Sequence, residues 1–216
     1  MPILRKPFQG SYIAGIYYPD KTKVGWWKNG YPEYFAKVLN APNWIGIEIE
    51  INDELFDLNA CTNIKNFRRE LNMKEGWYSR SLEATLKNGT EVAINVMRFL
   101  SLDLDEVGAI HYEITPVNKD AKIVYKPYVD AGVTNEDANW DEKFWEPLEV
   151  KHSGNEAYVT AQTFKTHFKV TTFMHNSVFE NGKNLNLSPT NFNTTSDKIQ
   201  SLYAVIVAKG KTSSTS

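Results

Sequence analysis

Between Gly132 and Trp145 the chain reads GVTNEDANWDEKFW, with four carboxylates, Glu136, Asp137, Asp141 and Glu142, set among the rings of Trp140, Phe144 and Trp145. Aromatic rings stack on the apolar faces of sugars and carboxylates bind their hydroxyls, so the composition fits carbohydrate chemistry. Cleaving a glycosidic bond needs a carboxylic acid to protonate the leaving oxygen, and often a second carboxylate. Spacing along a loop does not show that two acids face one sugar. Acidic loops are usually just solvated, so three readings stay open: an active site, a binding loop and a wet surface loop. Asn135 opens the acidic run, and Trp26-Trp27 offers a second pair of stacking rings.

Other chemistry is thinly represented. The four histidines, His111, His152, His167 and His175, show no HxH or HExxH spacing, so a metal site has little support. Each reads first as a structural residue. There is no GxSxG, no P-loop and no GxGxxG, and no cofactor is expected. The lone Cys61, in the polar run NACTN, excludes an internal disulfide and a cysteine zinc site, and reads as a passive thiol.

The elements that must position these residues are strands. Trp44–Ile51, WIGIEIEI, places Ile45, Ile47, Ile49 and Ile51 on one face and Glu48 and Glu50 on the other. A turn at Asn52-Asp53 returns the chain through LFDL. Asn88-Gly89, between YSRSLEATL and EVAINVMRFL, predicts a hairpin whose central residues both take positive φ. Val107–Thr115 and Lys122–Asp130 predict a strand pair around Pro116 and Asn118. Tyr158–Phe164 and His167–Met174 predict another, and Leu202–Ala208 a late buried strand. Only Tyr31–Leu39, between Pro32 and Pro42, suggests a helical turn. Many closely spaced strands imply an all-β sandwich or barrel.

The 216 residues suit one large all-β domain, 42% hydrophobic and 23% charged, with a net charge of −2. That charge gives no basic patch for nucleic acid or an acidic membrane, and no apolar run reaches the ~18 residues of a membrane span. MPILRKPFQG lacks the apolar stretch of a signal peptide. A cytoplasmic location is expected, with the periplasm left open.

Five blocks in order then carry a resemblance: GSYIAGIYYPD (Gly10–Asp20), LNAPNWIGIEIEIND (Leu39–Asp53), FRRELNMKEGWYSR (Phe67–Arg80), RFLSL (Arg98–Leu102) and HYEITPVN (His111–Asn118). Together they resemble the N-terminal domain of glycoside hydrolase family 65, the family of maltose, trehalose and kojibiose phosphorylases and acid trehalases. The resemblance implies a large antiparallel β-sandwich of the supersandwich, galactose mutarotase-like kind. It implies that this sandwich packs on an (α/α)6 barrel, which carries the Glu general acid and the phosphate site. Residues 1–209 would be the sandwich, shortened at both ends, and 210–216 a flexible tail or linker start.

On this reading the chain carries no catalytic residue. Its partners would be the barrel of the parent chain, in the parent enzyme an α-linked glucose disaccharide and phosphate, and a second copy in a homodimer. Asn135, Glu136, Asp137, Trp140, Asp141, Trp145, Trp26 and Trp27 would form the substrate rim or the docking face. Two other functions stay open. A stand-alone sugar-binding module would stack sugar on Trp26-Trp27 and Trp140. A mutarotase-like enzyme would need a His and a Glu in one cleft, for which His111 and Glu113 are the nearest pair. Arg80 and Arg98, flanking the Asn88-Gly89 hairpin, are expected to pair with acids such as Glu70 or Glu75.

Overall fold

A computed structural model describes residues 9–22, 29–136 and 142–216. Its clearest local rule is the hairpin of β6 (Trp77–Thr85) and β7 (Glu91–Leu100), in register from Trp77↔Phe99 to Thr85↔Glu91. The Gly89 N–H bonds the Leu86 carbonyl at 3.0 Å, and only Gly89 of the Asn-Gly pair has positive φ, 76°. The connection is therefore a turn closed by a glycine bulge, not the expected two-residue turn. That tighter form occurs instead between β3 (Ile47–Ile51) and β4 (Glu54–Leu55), where Asn52 and Asp53 have φ of 51° and 63°.

Antiparallel pairing extends both hairpins into sheets. A seven-stranded sheet runs β14-β13-β17-β8-β7-β6-β5. It adds β5 (Asn63–Asn72), β8 (Gly108–Pro116), β13 (Val178–Glu180), β14 (Lys183–Asn184) and β17 (Ser213–Thr215) to the first hairpin. A five-stranded sheet runs β15-β16-β9-β3-β4, adding β9 (Ala121–Asp130), β15 (Asn191–Thr194) and β16 (Lys198–Val207) to the second. A three-stranded sheet joins β10 (Trp145–Ser153), β11 (Glu156–Thr163) and β12 (Lys169–His175). A ribbon pairs β1 (Tyr12–Lys21) with β2 (Tyr34–Asn40). The outer strand β5 carries Arg68 and Arg69 and a register shift beside Asn66, devices that blunt an open edge.

The five-stranded sheet is the common layer of an antiparallel β-sandwich. On β9, Ala121, Ile123, Tyr125 and Val129 share one face by parity, as do Ile199, Tyr203, Val205 and Val207 on β16. One end of this face packs with Leu82, Ile94, Tyr112 and Ile114 of the seven-stranded sheet. At the other end, Val129 and Ile199 pack with Trp145, Val159, Tyr18 and Leu39 from the three-stranded sheet and the ribbon. Each such fully buried aliphatic side chain contributes about 1.5–3 kcal/mol.

Four local expectations need correction. Tyr31–Leu39 forms no helical turn: Tyr34–Asn40 is β2, with Lys37, Leu39 and Asn40 turned inward. The Trp44 strand is shorter than its alternation suggests, beginning at Ile47 after a bridge between Asn43 and Asp130. Strands β8 and β9 do not pair with each other, because the chain crosses between sheets at 117–120. The stretch 210–216 is not a loose tail: β17 lies between β8 and β13, with Ser213, Ser214 and Thr215 buried. Small β-compatible residues pair there because both neighbours offer open ladders.

Candidate functional site

The acidic aromatic loop is anchored by a buried polar cluster at its two ends. Asn135 is 7% exposed; its Oδ1 accepts the Asn40 N–H at 2.9 Å and its Nδ2 donates to the Val38 carbonyl at 2.8 Å. Asn40 in turn donates from Nδ2 to the Thr134 carbonyl at 3.0 Å, and its Oδ1 accepts the Ser11 N–H at 2.8 Å. At the far end of the loop the Trp145 indole, 3% exposed, donates to the Asn40 carbonyl at 2.8 Å. Buried amides and indoles need such partners, and here they find them on β2.

Trp145 is therefore turned into the core, and Asn135, though 7% exposed, also lines the hollow beside Glu136. Both are structural clamps in the second core. Glu136 is exposed and lines a hollow of about 440 Å³ with Tyr12, Phe35, Ala36, Lys37 and Val38. Trp26, Trp27, Asp137, Trp140 and Asp141 lie outside the described residues.

Beneath that hollow is an ion pair with no clear sequence signal. Lys37 Nζ lies 2.6 Å from Asp20, the two side chains 3% and 5% exposed, and 5.4 Å from the Phe144 ring centre. Phe144 meets Tyr18 edge-on at 4.7 Å. A lysine on the inward face of a strand breaks the apolar alternation, and only tertiary packing supplies its carboxylate. Around it the ribbon exposes Tyr12, Tyr17, Tyr34, Phe35 and Val38. By strand parity Tyr17, Tyr34 and Val38 share one side of the ribbon, and Phe35 lies on the side of Lys37.

A second hollow, of about 510 Å³, lies on the outer face of the seven-stranded sheet. Strand parity places His111, Glu113 and Thr115 of β8 on this face beside Asn95 of β7. Register places Ser214 of β17 beside Glu113 and opposite Phe179 of β13. His111 Nε2 is 3.2 Å from Glu113 Oε1, and the Thr115 and Thr212 hydroxyls meet at 2.7 Å. The His111–Glu113 pairing was legible in the sequence. The β17 contribution was not, because it comes from the stretch read as a tail.

Other candidates resolve into structural roles. Glu70 pairs with Arg68 and Glu75 accepts the Trp77 indole N–H at 2.8 Å, so neither takes the partner expected of it. Arg98 instead lies 4.8 Å from the Tyr78 ring centre. Burial, then Glu54 and Asp57, push the Cys61 thiol up and disfavour the thiolate a nucleophile needs. Among the described residues no group of three His, Cys, Asp or Glu side chains is placed to hold a metal.

The four antiparallel sheets place the chain in the class of large β-sandwich domains. Residues 5–215 match the sequence profile of the glycosyl hydrolase family 65 N-terminal domain, and the chain belongs to that family. It is 46% identical over 165 residues to maltose phosphorylase of Bacillus subtilis (strain 168), an alignment spanning 76% of this chain and 22% of that enzyme. It is 31% identical over 128 residues to kojibiose phosphorylase of Escherichia coli (strain K12), spanning 59% of this chain and 15% of that one. A solved structure from the human microbiome, assigned as a kojibiose phosphorylase, superposes with a TM-score of 0.77 at 20% identity. That superposition covers 98% of this chain and 27% of the other, and shows the fold. The chain thus spans less than a quarter of the curated relatives it matches.

Proposed function

We propose that this chain is the non-catalytic sandwich of an α-glucoside phosphorylase, supporting a catalytic barrel carried elsewhere in the parent protein. The observation that carries the reading is the family match across nearly the whole chain, joined to 46% identity with a maltose phosphorylase of which it covers 22%. Phosphorolysis of an α-linked glucose disaccharide belongs to the whole enzyme on this reading, and the sandwich supplies shape and support. Its docking face is the hollow lined by Tyr12, Phe35 and Val38 of the β1–β2 ribbon, with Glu136 at its border. Burying those exposed side chains against a partner would contribute the apolar term of the junction, while the Lys37–Asp20 ion pair ties the two strands of the ribbon together. A cytoplasmic site of action agrees with phosphate as co-substrate.

The test has two arms. The chain alone, given maltose, trehalose or kojibiose with phosphate, is expected to release no glucose 1-phosphate. Added to the separately produced remainder of a maltose phosphorylase, it is expected to restore solubility and turnover, and Val38→Asp is expected to abolish that rescue. Turnover by the isolated chain that disappears in Glu136→Gln would overturn the reading. So would rescue that ignores Val38→Asp.

A further inference from the structure

The hollow on the outer face of the seven-stranded sheet has a built shape. Its floor is Ser214 of β17 and Thr212 just before that strand, both short side chains. Its walls are taller: His111 and Glu113 on β8 at one side, Phe179 on β13 at the other. Short residues flanked by longer ones make a trough on the sheet face. The volume of about 510 Å³ lies within the roughly 300–1,000 Å³ typical of small-ligand sites.

The lining chemistry narrows the ligand. Hydroxyls of Thr115, Thr212 and Ser214 and the amides of Asn95 and Asn181 both donate and accept hydrogen bonds. Glu113 is the one carboxylate side chain of the lining, and His111 meets only its Oε1, which leaves Oε2 for a ligand donor. That carboxylate disfavours anions. A divalent cation would need more carboxylate or imidazole ligands than the lining holds. The strand backbones beneath are paired on both sides, so an added peptide strand has no ladder to join. A neutral ring with several hydroxyls and an apolar face satisfies all of these groups together.

We infer that this trough binds a neutral pyranose sugar, with Glu113 accepting its hydroxyls, Asn95 and Ser214 bonding its rim, and Phe179 lying against its apolar face. The site is separate from the ribbon face around Glu136, and its occupancy does not require the barrel-docking role.

Glucose titrated into the whole chain, followed by amide chemical shifts, tests this. Saturable shifts in the low millimolar range are expected at Asn95, Glu113, Phe179 and Ser214. Glu113→Ala and Asn95→Ala should each weaken binding about tenfold, the equivalent of ~1.4 kcal/mol. Asn95 is exposed and the Glu113 side chain is 36% exposed on the outer face of the sheet, so neither change should unfold the chain; Glu136→Ala should leave the affinity unchanged. Glycerol, which has hydroxyls but no ring, should bind at least tenfold more weakly. Shifts that do not saturate, shifts confined to the Glu136 hollow, affinity indifferent to both Glu113→Ala and Asn95→Ala, or equal affinity for glycerol would each overturn the assignment.

Discussion

The Trp145 indole and the Asn40 carbonyl are joined by a 2.8 Å hydrogen bond that spans 105 positions of sequence. Asn40 also bonds Asn135, so one residue of β2 holds both ends of the acidic aromatic segment. Aromatic and acidic density made that segment look like an interaction surface. The structure shows that Asn135 and Trp145 fix it in place, while Glu136, Glu142 and Lys143 open to solvent.

Trp145→Ala is accordingly expected to cost about 3–5 kcal/mol, the usual range for deleting a buried aromatic. Trp145→Phe keeps most of the apolar volume but leaves the Asn40 carbonyl without the indole N–H, and should cost about 1–3 kcal/mol. Urea unfolding followed by circular dichroism measures both. A Trp145→Ala protein as stable as the parent would remove Trp145 from the core.

Ser214 supports a second expectation. It lies in β17 with a strand on each side, and proline there would remove a ladder donor from the sheet interior. Ser214→Pro should cost at least ~2 kcal/mol, since an orphaned buried group alone costs ~1–3 kcal/mol. A thermal midpoint unchanged by Ser214→Pro would mean that β17 is not a working strand.

The sequence was most legible where one short-range rule acts alone. Alternation marked β3, β6, β7 and β16, and the Asn-Gly and Asn-Asp pairs marked their turns. It was least legible where a partner far along the chain decides. KTSST has no apolar alternation, and becomes β17 only because β8 and β13 leave a gap between them. Tyr34–Asn40 has mixed propensity and becomes a strand because β1 pairs with it. The β8–β9 connection looks like a hairpin link, but the apolar faces of its strands belong to different sheets. Lys37 and Asp20 are 17 positions apart, and nothing local announces that both are buried.

The isoleucine row of β3 divides by depth. Ile51 is fully buried and Ile49 nearly so, whereas Ile47 is only partly covered. Ile51→Ala should destabilise by about 2–5 kcal/mol, and Ile47→Ala by less than about 2 kcal/mol because less cavity is opened. Paired denaturation curves check the order. Equal costs, or a larger one at position 47, would place the centre of the first core elsewhere.

Three tyrosines give the sandwich an alkaline weakness. Tyr112, Tyr125 and Tyr203 are buried where the sheets meet, and burial is the main cause that pushes each phenol above its ordinary value of 10.0. For Tyr203 it is pushed up to about 12. A buried phenolate is costly, so the folded chain keeps its proton while the unfolded chain releases it. The stabilising difference is therefore fully present below pH 10 and is lost as pH rises from 10 through about 12. For Tyr203 the loss is on the order of 2 kcal/mol. Lysines titrate over the same range, so the parent curve alone does not isolate the effect. Comparison with Tyr203→Phe does, because every other group is common to both proteins. Urea unfolding at successive pH values from 8 upward should show the parent losing stability faster than the variant once the ordinary phenol range is passed. Parallel curves would mean that Tyr203 titrates as freely in the folded protein as in the unfolded chain, and that its hydroxyl is open to water.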